Sequence, residues 1–284
     1  MNRWKIAAAA AAGALALGGV IVTAASADPA QPAHSATAAA TSTAAVAQTD
    51  NHKAKPTIVL VAGAFEESAG WTGEITQLRR AGYQVVAPAV PLRSIAGDAA
   101  YLTTIVRGIK GPVVLVGHSY GGPLITEVAA QDPQQVKALV YTAAFIPKAG
   151  ESVGQLLGQF PGTLLGPDTT YTVNYPGGAS DMYVKPESFR ALFAGDRSAT
   201  DAAVDAATQR PVNSSALGEP AAAGVPAGIP VYAVVASQDK AIPPAAERWE
   251  AQRAGATIYT VNSAHDLPTS HPTEVTQIIE RAAR

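Results

Sequence analysis

Ser119 lies between two glycines in the run Gly117-His118-Ser119-Tyr120-Gly121-Gly122. A serine hydroxyl attacks an acyl carbon only when a base takes its proton and an acid orients that base. Two residues late in the chain can supply those parts. Asp239 sits in Ser237-Gln238-Asp239-Lys240-Ala241-Ile242-Pro243-Pro244, and His265 in Asn262-Ser263-Ala264-His265-Asp266. The chemistry is then acyl transfer: Ser119 attacks, His265 shuttles the proton and Asp239 holds the imidazole. A tetrahedral oxyanion needs two main-chain N–H donors. Tyr120, directly after the serine, supplies one. The second comes from the loop Ala62-Gly63-Ala64-Phe65, with Ala64 ahead of Phe65. Phe65, Phe160 and Phe193 are expected to line the substrate pocket.

Other titratable residues fit these roles less well. His118 flanks the nucleophile and is turned elsewhere by the turn itself. His271 precedes Pro272 and a helix, where a capping or surface role suits it. Asp266 adjoins His265 in sequence and is a poor orienter of that ring. Glu66, Glu67 and Asp98 lack a position after a late strand. No cluster has metal-ligand spacing, so neither metal nor organic cofactor is implied.

The elements that must position these residues are legible as apolar runs. Pro112-Val113-Val114-Leu115-Val116 reads as one buried strand, and Pro123 to Ala130 is helix-compatible. A strand, a Gly-x-Ser-x-Gly turn and a helix make a nucleophile elbow, in which the acid and the histidine follow in that order, each after a strand. The glycines at 117 and 121 let strand and helix approach closely. Further strands are expected at Thr57–Val61, Tyr83–Val86, Val136–Tyr141, Ile229–Val235 and Thr257–Val261, which makes six. Helices are expected at 71–80, 98–109, 245–253 and 274–283. This alternation predicts an α/β fold, a mostly parallel six-stranded sheet flanked by helices. Between about residues 147 and 228 the alternation stops. A segment of that length is too long for a bare loop. It is expected to form a small, mainly helical cap over the carboxyl ends of the strands.

The chain begins with Arg3 and Lys5, an uncharged stretch from Ile6 to Val22, and Ala25-Ser26-Ala27. Residues 1–27 therefore read as a cleaved signal peptide in preference to a retained anchor, with Asp28 the first mature residue and secretion the destination. Residues 28–55, rich in Ala, Thr and Pro, read as a disordered tether, with His34 and His52 solvated within it. Residues 56–284 fit one domain. The chain has no cysteine, so an exported fold must rest on packing without disulfides. Of 20 basic and 22 acidic residues, the leader removes Arg3 and Lys5, leaving 18 basic. That excess of acid argues against nucleic acid and against stable membrane association after cleavage. The expected partner is a small-molecule ester, and no oligomeric state is assigned.

From about Pro56 to the end, the chain resembles the α/β-hydrolase superfamily, in particular small bacterial serine hydrolases related to plant methylesterases and hydroxynitrile lyases. The resemblance rests on Gly117–Gly122, on Asp239-Lys240-Ala241-Ile242-Pro243-Pro244 and on the His265 loop ending in Ser270-His271-Pro272. Ala207-Thr208-Gln209-Arg210-Pro211 adds to it. Where relatives carry His-Gly after the first strand, this chain has Ala62-Gly63. The resemblance implies an α/β-hydrolase fold and ester hydrolysis through a Ser-His-Asp triad and an acyl-enzyme. Two other functions fit the same shell. A hydroxynitrile-lyase-like or other cofactor-free non-hydrolytic enzyme would use the same triad. Relatives of the lyase type carry a lysine beside the catalytic histidine, whereas this chain has Asp266, whose charge opposes cyanide. A non-catalytic ligand-binding protein is the third reading, and an intact Ser, Asp and His set argues against it.

Overall fold

The computed structural model describes residues 55–284. The expected leader, its cleavage after Ala27, and the tether with His34 and His52 lie outside the described residues, except Lys55 at the tether's end. Lys55 Nζ donates to Ala81 O at 2.5 Å and lies over the Tyr83 ring.

The first half alternates strand and helix: β1 (Thr57–Val61), α1 (Thr72–Arg80), β2 (Val85–Val86), α2 (Ile95–Arg107), β3 (Val113–Ser119), α3 (Gly121–Gln131) and β4 (Val136–Ala144). An insertion follows, with α4 (Val153–Leu157), β5 (Thr170–Tyr175), β6 (Ala179–Val184), α5 (Pro186–Leu192), α6 (Ala199–Thr208) and β7 (Val212–Asn213). Alternation then resumes with β8 (Val231–Ala236), α7 (Pro244–Arg253), β9 (Thr257–Val261), α8 (Leu267–Ser270) and α9 (Pro272–Ala282).

Six strands form one sheet in the order β2-β1-β3-β4-β8-β9, and every pairing in it is parallel. Both faces of its central strands are covered, which is why β1 and β3 read as nearly unbroken apolar runs. Val59 and Val61 of β1, with Val113 and Leu115 of β3, pack on the side of α2 and α3. Ile58, Leu60, Val114 and Val116, one residue out of phase, pack on the side of α1 and α9. Successive side chains of a strand point to opposite faces, so one β-branched run feeds two cores.

Three elements depart from the sequence expectation. The strand expected from Tyr83 is paired only at Val85–Val86. Helix α2 begins at Ile95 because Ser94 Oγ accepts the Gly97 N–H at 3.0 Å, while the distant Glu219 carboxylate accepts from Ile95 N at 2.7 Å and Ala96 N at 3.0 Å. These partners satisfy the N–H groups that a helix start leaves open. The insertion, expected to be mainly helical, also holds a three-stranded antiparallel sheet in the order β5-β6-β7. Most of β5 is exposed, with Tyr171 stacked on Tyr183 at 5.2 Å, so its aromatic and β-branched residues mark a strand and not a buried helical face.

Candidate active site

Ser119 ends β3 at a φ of +50°, in the left-handed region that a non-glycine residue occupies only when its surroundings hold it there. A Cβ at Gly121 would come within 2.6 Å of Val61 O, so glycine is required for the helix to start directly beneath the turn. The loops after β8 and β9 deliver Asp239 and His265 to the same edge of the sheet.

The structure brings the three side chains into one chain of hydrogen bonds. His265 Nε2 lies 3.0 Å from Ser119 Oγ, and His265 Nδ1 lies 2.6 Å from Asp239 Oδ2. A carboxylate accepts only, so Nδ1 carries the ring hydrogen and Nε2 is left to accept from the serine hydroxyl. The other oxygen of Asp239 accepts the main-chain N–H groups of Ala241 at 2.7 Å and Ile242 at 2.8 Å. His265 and Asp239 are buried, and Ser119 retains slight exposure.

The main-chain donors sort themselves. Phe65 N–H is committed to Arg210 O at 3.0 Å, an acceptor from the insertion. Among the described residues, the N–H groups of Ala64 and Tyr120 have no hydrogen-bond acceptor, and both residues line the cavity with Ser119. Ala64 is thus the donor available from this loop, and Phe65 is not. The Tyr120 hydroxyl donates to Asp98 Oδ2 at 3.0 Å, which employs Asp98 away from the histidine.

A narrow apolar cavity faces Ser119 and His265, walled by Phe65, Phe145, Leu165, Phe193 and Ile242. Phe193 stands edge-on to the His265 ring, centroids 4.8 Å apart, and also meets Phe65 at 5.7 Å. Phe160 is not among the cavity walls. It packs on Trp249 at 5.6 Å, against a cluster whose members Phe145, Val153 and Ile242 also line the cavity. Of the three phenylalanines expected at the pocket, Phe65 and Phe193 are there and Phe160 is a prop behind it.

The insertion also holds the histidine loop. Asp196 accepts from Ala264 N and from the hydroxyls of Ser263 and Ser270, each at 3.0 Å. Burial opposes ionisation of Asp196, but these donors outweigh it and hold its carboxyl below the usual range. Asp266 N–H donates to Phe193 O at 2.8 Å. The Asp266 side chain is buried and accepts from Arg197 at 3.3 Å. Burial, then the nearby Glu66, pushes Asp266 up to about 7. None of these supports is legible in the sequence. His118, expected only to be turned elsewhere, is fully buried, with Nδ1 at 2.6 Å from Glu66 Oε2 and Nε2 at 2.9 Å from the main-chain oxygen of His265. His271 lies 3.5 Å from Asp196 and 3.6 Å from Glu274, remote from Ser119 in the hydrogen-bond chain.

The model described as the alpha/beta hydrolase family matches residues 58–278. A carbendazim hydrolyzing esterase from a Nocardioides species is 37% identical over 111 residues, covering 35% of this chain and 46% of that protein. A pyrethroid hydrolase from Sphingobium wenxiniae is 29% identical over 105 residues, covering 33% and 37% respectively. The first of these matches spans about half the length of its curated relative, and the second less. Among solved structures, polyneuridine aldehyde esterase superposes with a TM-score of 0.70 at 18% identity, covering 81% of this chain and all of that one. A pyrethroid hydrolase from Sphingobium faniae superposes with a TM-score of 0.65 at 20% identity, covering 80% and 97%. At such identities the superpositions establish the fold.

Proposed function

The chain belongs to the alpha/beta hydrolase family, and from that premise we propose that it is a secreted serine hydrolase of carboxylic esters. One observation carries the reading: a Ser119–His265–Asp239 hydrogen-bond chain beside two uncommitted N–H groups at an apolar cavity. The names of the partial relatives, an esterase and a pyrethroid hydrolase, support ester cleavage in particular.

Ser119 Oγ attacks the ester carbonyl as His265 Nε2 takes its proton. The oxyanion accepts from Ala64 N–H and Tyr120 N–H, which are fixed before the charge develops and need no reorganisation. Asp239 holds the ring through Nδ1 and stabilises the imidazolium that forms. His265 then protonates the departing alcohol, which leaves an acyl-Ser119. Water, deprotonated by the same nitrogen, releases the acid and restores the serine. The apolar walls favour an uncharged acyl or alcohol group of small to medium size. Export rests on the leader at residues 1–27, with cleavage before Asp28.

A panel of p-nitrophenyl and aryl esters tests the activity, with a fluorophosphonate probe to label the nucleophile. Turnover and labelling that both vanish in Ser119→Ala are the expected result. A folded wild-type protein that neither turns over esters nor takes the label would rule the reading out. N-terminal sequencing of protein from the culture medium tests export. A start at Met1, or protein confined to membranes, would overturn the leader.

A further inference from the structure

His118 stands next to the nucleophile, yet its ring turns beneath the oxyanion loop. Both of its nitrogens face acceptors. The His265 main-chain oxygen at 2.9 Å can only accept, so Nε2 carries a hydrogen. The Glu66 carboxylate at 2.6 Å also only accepts when ionised, so Nδ1 carries a hydrogen as well. A neutral imidazole has one N–H and cannot serve both. The same carboxylate oxygen accepts Gly63 N–H at 3.4 Å. Space around it is tight: a Cβ at Gly63 would come within 2.8 Å of Ser119 Cβ and 3.1 Å of His118 Nδ1. One link therefore joins the loop carrying Ala64, the strand carrying Ser119 and the loop carrying His265.

We propose that His118 is an imidazolium in the resting protein and a positioning residue, its ion pair with Glu66 clamping the His265 main-chain carbonyl and so setting the base over Ser119. The proposal takes from the functional reading only that His265 is the base.

The surroundings favour the charged ring. Burial opposes it, but the Glu66 charge and hydrogen bond outweigh burial, Asp266 and the His265 carbonyl add to them, and His118 is pushed up to about 9. The groups facing it are Glu66 from the loop after β1, Glu74 from α1, and His265 and Asp266 from the loop after β9. Burial pushes Glu74 up to about 8 and Asp266 up to about 7, which leaves Glu66 as the main counter-charge near neutrality. The His118 and His265 rings lie 4.8 Å apart. A fixed cation at that separation repels a second positive charge.

Nitrogen-15 NMR of the folded, histidine-labelled protein reads the ring directly, with the His118 signals identified by their loss in His118→Gln. Both ring nitrogens should be protonated from about pH 6 to about pH 8. An unprotonated Nδ1 at neutral pH would place the shared proton on Glu66 and overturn the proposal. This measurement needs no substrate, so it stands even if ester turnover is absent. Glu66→Gln keeps an amide partner for the ring but removes the counter-charge. His118 should then fall to one N–H, kcat should drop about tenfold with little change in KM, and the acid limb of kcat/KM should move up by about half a pH unit. His118→Gln, which can still donate to the His265 carbonyl, should retain more kcat than His118→Leu and show the same limb shift. A merely structural pair would lower Tm and scale the rate equally at every pH, and that pattern would also overturn the proposal.

Discussion

Two histidines in this molecule each meet a carboxylate at 2.6 Å, His265 with Asp239 and His118 with Glu66. Both rings are buried and both contacts run through Nδ1. The difference lies at the other nitrogen. His265 Nε2 meets a serine hydroxyl at 3.0 Å, which can donate or accept, whereas His118 Nε2 meets a peptide carbonyl at 2.9 Å, which can only accept. A proton passes only where the partner can exchange roles, so one pair can carry a proton and the other can only hold a loop. The carboxylates differ in the same sense. Asp239 is held by two neutral N–H dipoles, while Glu66 Oε1 is buried without a partner among the described residues and its Oε2 has the ring and one longer contact from Gly63 N–H. A histidine's role is thus read from its second partner, not from the carboxylate beside it.

The largest effects should fall on the first pair. Ser119→Ala and His265→Ala should each lower kcat by roughly 10⁴-fold or more, with the double variant no worse than either, since the two act as one unit. Activity in His265→Ala that disappears in His118→Ala would reverse the comparison. Asp239→Asn should cost on the order of several hundredfold or more, because an amide favours the wrong tautomer of His265. The corresponding Glu66→Gln change should cost only about tenfold, since no proton crosses that contact. Equal losses in the two variants, measured as kcat at one pH, would erase the distinction.

The cavity offers a weaker contrast between two phenylalanines. Phe193 touches the His265 ring and walls the cavity, while Phe160 packs behind it on Trp249. Phe193→Ala should change the kcat/KM ratio between a short and a bulky ester by roughly 10- to 200-fold, the range a pocket contact of this kind commands. Phe160→Ala should lower Tm and leave that ratio unchanged. A ratio that moves equally in both would mean that the cavity reaches past its present wall.

These contrasts also mark where the sequence is readable. Strand β3 is legible because a strand buried on both faces must be apolar throughout, and the turn after it because glycines alone allow so close a helix. Asp239 could be singled out because it follows such a strand, β8, and His265 because it follows the β-branched run of the edge strand β9. Glu66 and His118 could not: they lie 52 residues apart, and their contact depends on how the loop after β1 folds over the end of β3. Asp196 and Glu219 are hidden for the same reason, since each caps or braces a segment far along the chain. The sheet of the insertion is hidden because a mostly exposed strand such as Thr170–Tyr175 lacks the continuous apolar signal that marks the central ones.

A third buried carboxyl completes the comparison, because it has no histidine. Glu74 of α1 is fully buried, and its carboxyl oxygens reach no partner outside its own residue among the described residues. Burial pushes its pKa from 4.5 up to about 8. Across that interval the unfolded chain has lost a proton that the folded chain retains, so the unfolded state binds fewer protons and stability falls as pH rises. Glu74→Met removes the titrating group while filling similar space with an apolar chain, and buried charge is commonly replaced this way without loss of stability. Other buried acids, Asp266 and Glu250 at about 7, slope the same way in both proteins, so the difference between the two isolates Glu74. At about pH 5 the two melting temperatures should be close, and by about pH 8 the variant should melt higher by roughly 5 °C. Melting curves that fall in parallel would show that Glu74 is already ionised within the fold. A buried carboxylate would then need no partner here, and the contrast between the two histidine pairs would lose its electrostatic basis.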